Sequence, residues 1–505
     1  MRAIFYPHAR GNAAPVAFRC SATQRPRYVF SFGVWLCLGS LATPASAADY
    51  RDEVGYTQLQ AALKAHLPDG RGIGIAQVEA PVKSKPEFWR YGAAGTWWPD
   101  PDDIEFKGKQ LNYGSSREEG SASGHANGVA RLFYGGHTAM AFAVSSIDLY
   151  SATDWTQSVM RTGSPLFPAQ MPARVVNHSW VGSAGSDIYD AELLRRLDWS
   201  INTDRSVHVV GVANGNPSPP LLGNAFNVIA VGRSDGGNGF GTREIDGVYR
   251  EGRAMPQIVA PMNTTSAATP IVASAAVLLI NAAQRWPTFS KGAQRTLDGG
   301  LLRDSERPEV IKALLMAGAR RDFPSGESRS DYRANVENRT NNGLDRRFGA
   351  GEVNILNSFA ILSGGEQRSV EDTGKGNTSI SAYGYDFDND FGGADGSNSV
   401  ANYSFHVKRA RTLSATLTWN ARIATGGTSY SAFDVEAQLY DLDLELYDDT
   451  EARRVAASTS WADNTENVWV TLVAGHDYRL VVRKADGEAD FSWRYALAWR
   501  IDAGD

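Results

Sequence analysis

The sequence predicts an α/β fold with a mostly parallel sheet carrying helices on both faces, followed by an all-β sandwich. Three observations carry this prediction. From Gly70 to Gly232, short runs of small and β-branched residues alternate with helical segments, the pattern of βαβ units. The almost wholly apolar run Ile271 to Ile280 follows a Thr-Pro pair, as a buried helix would. Beyond Gly364-Gly365 the periodicity shortens to two, as in Leu442-Asp443-Leu444-Glu445-Leu446, with Gly and Asp at the breaks.

The chain has 505 residues, 42% hydrophobic and 21% charged, which describes an ordinary globular protein with room for two or three domains. Residues 1–47 stand apart. They hold Arg2, Arg10, Arg19, Arg25 and Arg27 without an acidic residue, then a mostly apolar stretch from Tyr28 to Leu41, then Ala45-Ser46-Ala47. That order predicts a secretory signal cleaved after Ala47 and an exported protein, periplasmic or secreted. No other apolar run approaches the roughly 20 residues of a membrane span. Cys20 and Cys37 leave with the signal, so the mature chain has no thiol and must rest on core burial. Without the five arginines the balance is 45 basic to 56 acidic residues, a net charge of −11 rather than −6. Such a surface argues against nucleic acid and anionic membrane as partners. The expected domains are 1–47 (signal), 48–365 (α/β) and 366–505 (sandwich).

In chain order, Gly55 to Leu67 is a short amphipathic piece. Gly70 to Glu79 reads as a buried parallel strand ending in an acid, and strand carboxyl ends are where open α/β sheets place their ligands. Ser123-Gly124-His125-Ala126-Asn127-Gly128 packs small residues around one histidine, which lets a helix begin close to a strand. Ala139 to Ala152 gives a turn and a strand, Arg174 to Gly182 another, and Ala191 to Ile201 a helix. Ser206 to Asn216 is a strand ending in a Gly-Asn turn, and Asn227 to Gly232 one more. The stretch Thr264-Thr265-Ser266-Ala267-Ala268-Thr269-Pro270 then opens the apolar helix, with Pro270 expected in its first turn, where a missing N–H is tolerated. Ser266 there would be an N-cap in the plain case. The free N–H groups and dipole of a helix start also suit a nucleophile.

Taken together, the strand-end acid, the histidine among small residues, the Gly-Asn turn, Val228-Ile229-Ala230-Val231-Gly232 and Thr265-Ser266-x-Ala268-Thr269-Pro270 resemble the subtilases, the subtilisin-like serine peptidases. The likeness runs from about Gly70 to Ala360 and includes Ile311 to Ala319 and Gly349-Ala350-Gly351-Glu352-Val353-Asn354. It implies a serine endopeptidase with Ser266 as nucleophile, His125 as general base and Glu79 orienting the imidazole. Asn216 would donate to the oxyanion. Ser179-Trp180-Val181 and Val212-Ala213-Asn214 would be strand edges that pair with an extended peptide. The implied partner is a protein or peptide substrate, with the enzyme a monomer. The chemistry requires no cofactor, and calcium enters only as a structural ion that the family resemblance allows.

The sequence departs from the family at three places. Glutamate stands at 79 where aspartate is usual, the second histidine of the family's histidine motif is absent at Asn127-Gly128, and Thr264 replaces a glycine. A peptide- or surface-binding module that keeps the fold without the chemistry is therefore the alternative, with an esterase behind it. The roughly twenty residues between Ala47 and Gly70 are too few for a folded pro-domain, so autocatalytic removal of one is not expected. The sandwich resembles jelly-roll-like domains that trail some bacterial relatives, with stabilisation as its simplest role. Asp386-Phe387-Asp388-Asn389-Asp390 fails the helix-loop-helix calcium pattern, having Phe391 where glycine is needed, and reads as a solvated turn.

Overall fold

The computed structural model describes residues 49–503 apart from 82–95, 117–121, 216–220, 297–298, 322–337, 372–378, 425–432 and 434–435. Residues 1–47, expected to be a signal, with Cys20 and Cys37, and the oxyanion candidate Asn216, lie outside the described residues.

Seven parallel strands form the central sheet. They are β1 (Ile75–Glu79), β2 (Gln110–Tyr113), β3 (Ser146–Ser151), β4 (Val175–His178), β5 (Val207–Gly211), β6 (Ile229–Arg233) and β7 (Ile258–Ala260), in the order β2-β3-β1-β4-β5-β6-β7. The register sets Glu79 opposite Ser151 and Val78 opposite His178, so the carboxyl ends of β1, β4 and β5 lie side by side. From β1 the chain goes to the β2/β3 side, and from β4 to the other, which opens a crevice at the switch point.

Alternation along each strand divides the core in two. Ile75, Val175, Val207, Val209, Ile229 and Val231 face one layer, with helices α1 (Gly124–Tyr134) and α3 (Thr265–Arg285) against it. Ala76, Val78, Val176 and Val210 face the other, against Leu193, Leu194, Leu197 and Ile201 of α2 (Asp187–Asp204). Helix α3 is long and apolar enough to cross a membrane, which corrects the expectation that no run outside the signal approaches that length. It lies buried in the core, and its apolarity is that of a helix enclosed on all sides.

Most of the described C-terminal strands make two antiparallel sheets. One orders Tyr383–Phe391, Trp493–Ala503, Arg411–Thr418 and Thr465–Leu472; the other orders Val370–Glu371, Val400–Val407, His476–Lys484, Leu442–Asp448 and Arg453–Ser458. Leu442, Leu444 and Leu446 enter the core between them, while the alternate Asp443 meets Arg483 and Glu445 meets Arg454. One expectation is corrected here. Asp386 to Asp390 is not a solvated turn but part of a strand, with Asp386 buried and accepting the Tyr403 hydroxyl at 2.9 Å. The tyrosine supplies the donor that a buried carboxyl needs. Just after the Gly364-Gly365 break, Glu366 is buried, accepting the Gly292 N–H at 3.3 Å and the Ser290 hydroxyl at 3.2 Å.

Helix α4 (Pro308–Gly318) is buried along its whole length between the α/β layers and the sandwich. Thr418 Oγ1 donates to the Glu309 carbonyl (2.8 Å), Ser414 Oγ to that of Ala317 (3.0 Å), and Arg494 pairs with the Glu309 carboxylate (2.5 Å). Asn464 Nδ2 donates to the carbonyls of Phe226 (2.8 Å) and Trp419 (2.7 Å). The sandwich thus satisfies buried polar groups of the α/β unit that would otherwise lose their partners.

Candidate active site

Glu79 ends β1 almost fully buried. Beside it, Ser123 caps α1 by accepting the Ala126 N–H at 3.2 Å, which sets His125 in the first turn. His125 Nδ1 lies 2.8 Å from Glu79 Oε2. A carboxylate only accepts, so the proton sits on Nδ1 and Nε2 is left with a bare lone pair. Burial alone would push the imidazole down, but the Glu79 charge and hydrogen bond outweigh it and hold His125 above the usual imidazole range. The extra methylene of glutamate does not prevent the contact. The buried pair His178 and His208, 3.0 Å apart, is of another kind: desolvation pushes both down, His208 to about 3, so both stay neutral inside the core.

Helix α3 starts two residues earlier than expected. Thr264 is the N-cap, accepting the Ala267 N–H at 3.2 Å, so Ser266 is the second helical residue and Pro270 the sixth. Pro270 therefore lies past the first turn, and its missing N–H deprives the Ser266 carbonyl of its i+4 partner. Ser179 Oγ fills the gap, donating to that carbonyl at 3.1 Å, while Asn177 Nδ2 donates to Ser179 Oγ at 2.9 Å. Conversely, Ser266 Oγ donates to the Ser179 carbonyl at 3.3 Å. The hydroxyl is thus turned toward β4, and it makes no hydrogen bond to His125. Gly211, at the end of β5, permits the close approach of α3: a Cβ there would stand 2.8 Å from Thr269 Oγ1.

The two expected peptide edges differ in availability. Ser179 and Trp180 are buried, and Trp180 packs edge-on against Trp155 (6.4 Å) and His178 (6.1 Å), so its ring points into the core. Val181 is half-buried. Along the other edge Val212 N–H donates to Val231 (3.0 Å) and the Ala213 carbonyl accepts from Gly239 (2.8 Å). Asn214 Oδ1 accepts the Thr265 N–H at 2.8 Å, so this side chain braces the start of α3. Among the described residues no group of three or more His, Cys, Asp or Glu side chains is arranged to hold a metal ion.

Two residues absent from the sequence reading belong to the site. Gln77 Nε2 donates to Glu79 Oε1 at 2.9 Å, and Tyr134 OH donates to Gln77 Oε1 at 2.8 Å. The available signal was an amide in the middle of an otherwise apolar strand.

These features are those of a serine endopeptidase on a parallel α/β scaffold. A family model described as the subtilase family matches residues 98–351, half of the chain, and the chain belongs to that family. His125 and Ser266 fall inside the matched span and Glu79 before it. Among solved structures, the Prenylagaramide maturation protease PagA is 17% identical, covering 57% of this chain and 92% of that one, with a TM-score of 0.35. A cold adapted subtilisin-like serine proteinase is 18% identical over 51% and 86%, with a TM-score of 0.33. A protease from Pseudoalteromonas arctica is 16% identical over 62% and 96%, with a TM-score of 0.37. No curated protein matches the chain.

Proposed function

We propose that this is an exported serine endopeptidase that hydrolyses peptide bonds through an acyl-enzyme, using Ser266, His125 and Glu79. The observation that carries the reading is the 2.8 Å bond between Glu79 Oε2 and His125 Nδ1, which fixes the tautomer a general base needs. In the reaction the Ser266 hydroxyl turns from the Ser179 carbonyl to His125 Nε2. Its oxygen attacks the substrate carbonyl while its proton passes to Nε2, and the imidazolium, paired with Glu79, returns that proton to the leaving amine. Water then repeats the cycle on the ester. The Ser266 N–H, in a helical first turn with no intrahelical acceptor, would donate to the developing oxyanion, and the Asn216 side chain is the second donor that the family resemblance implies. A side-chain donor of this kind contributes about 3–4 kcal/mol to the transition state. Export rests on the basic, apolar and Ala-Ser-Ala order of residues 1–47.

A second reading, a non-catalytic peptide-binding module, is favoured by one observation: the Ser266 hydroxyl is bonded to Ser179 and not to His125. Labelling with a fluorophosphonate separates the two. In that reaction the serine oxygen bonds to phosphorus, fluoride leaves, and His125 takes the proton. Purified Ala48–Asp505 is expected to be labelled at Ser266, the adduct being mapped by mass, with no label on Ser266→Ala. A folded protein that takes no label supports the binding module.

A further inference from the structure

Strand β1 is apolar but for Gln77 and Glu79, which alternation places on the same face. Gln77 is 1% exposed, so its amide has no recourse to water. Nε2 donates to Glu79 Oε1 (2.9 Å) and to the Ala126 carbonyl (3.0 Å), and Oε1 accepts from Tyr134 OH (2.8 Å). These partners fix the orientation of the amide. Turned over, its oxygen would face two acceptors at once, the Glu79 carboxylate and the Ala126 carbonyl. Each oxygen of Glu79 therefore meets its own donor, Oε1 from Gln77 and Oε2 from His125. Ala126 and Tyr134 both lie on α1, the helix that carries His125. The amide ties the strand bearing the acid to the helix bearing the base.

We infer that Gln77, seated by Tyr134, is a positioning residue that holds the longer Glu79 side chain in the rotamer that reaches His125 Nδ1. This clamp is what lets a glutamate serve at a position where one more torsion must be frozen. The inference rests on the peptidase reading of Ser266, His125 and Glu79.

Its test exploits the fixed amide. In Glu79→Gln the new carbonyl must face Gln77 Nε2, since two amino groups cannot share a hydrogen bond. The new NH2 then faces His125 and forces Nδ1 to accept, which moves the ring proton to Nε2 and removes the base. Replacing Gln77 by leucine releases that constraint and lets the substituted amide turn its oxygen to His125. The rate of fluorophosphonate labelling at saturation is expected to fall about 10–100-fold in Gln77→Leu, with half-saturation within about twofold of wild type. It is expected to fall about 10⁴-fold in Glu79→Gln. The double variant is expected to recover at least about tenfold over Glu79→Gln, a reversal that independent structural damage cannot give. A double variant no faster than Glu79→Gln, or Gln77→Leu at the wild-type rate, overturns the inference. Should Gln77→Leu not fold, Tyr134→Phe is read instead: a lower saturating rate at unchanged half-saturation supports the clamp, and an unchanged rate overturns it. If the wild-type chain takes no label, the peptidase reading fails on its own. The low-field proton signal of His125 Nδ1–H, recorded in Ser266→Ala with and without Gln77→Leu, then decides. A signal that moves or broadens supports the clamp, and an identical signal overturns it.

Discussion

Lys312, on the buried helix α4, holds its ammonium almost wholly out of water, donating to the Phe226 carbonyl at 3.0 Å. Desolvation and the neighbouring Arg253 push it down from 10.5 to about 7, against the attraction of Asp198, Asp463 and Glu309. The unfolded chain then binds more protons than the folded one between pH 7 and 10.5, so stability rises with pH across that window. At about 1.4 kcal/mol per pH unit, the penalty is on the order of 4 kcal/mol at pH 7 and about 1 kcal/mol at pH 9.5. Lys312→Met keeps the volume and removes the charge, and the Phe226 carbonyl retains the Asn464 amide at 2.8 Å. The variant is expected to be the more stable at pH 7, with the gap closing by about 3 kcal/mol by pH 9.5. Urea denaturation of both proteins at the two pH values, in the Ser266→Ala background to prevent self-digestion, measures this. Parallel pH dependences would refute the reasoning, because they would mean that Lys312 is charged throughout.

Other predictions concern the site and the junction. Because His125 is held above its usual range by Glu79, its imidazole should titrate with a midpoint above 6.5 that moves down in Glu79→Gln, as the pH dependence of its ring-proton signals will show. Gly211→Ala drives a methyl onto Thr269 Oγ1, itself bonded to the Thr265 carbonyl at 2.7 Å. It should lower both labelling rate and melting temperature, with about 1–3 kcal/mol of strain. Asn464→Leu leaves the Trp419 carbonyl without its amide and should destabilise the whole chain by about 1–3 kcal/mol, read by urea denaturation. Unfolding of the sandwich alone, ahead of the α/β unit, would contradict the junction described above.

The strands that position the site were legible because each is short and rich in β-branched residues: Val175–His178, Val207–Gly211 and Ile229–Arg233 lie where the patterning put them. Glu79 and His125 meet as the family order implied, since both sit at element ends that the sheet brings together. What periodicity could not show was depth and direction. The cap at Thr264 rather than Ser266 moved Pro270 out of the first turn, and neighbouring hydroxyl residues are equivalent in sequence until one accepts an N–H. The inward turn of Trp180 depends on Trp155 and His178, and the role of Gln77 on Tyr134, 57 positions away. Asp386 looked solvated because its partner, Tyr403, lies on another strand. Side-chain pairing across elements leaves no period to read.

The crossed bonds between Ser179 and Ser266 make the cleft wall and the start of α3 one mechanical part. Any displacement of the segment that follows β4 is therefore carried directly to the helix start, and with it to the Ser266 side chain.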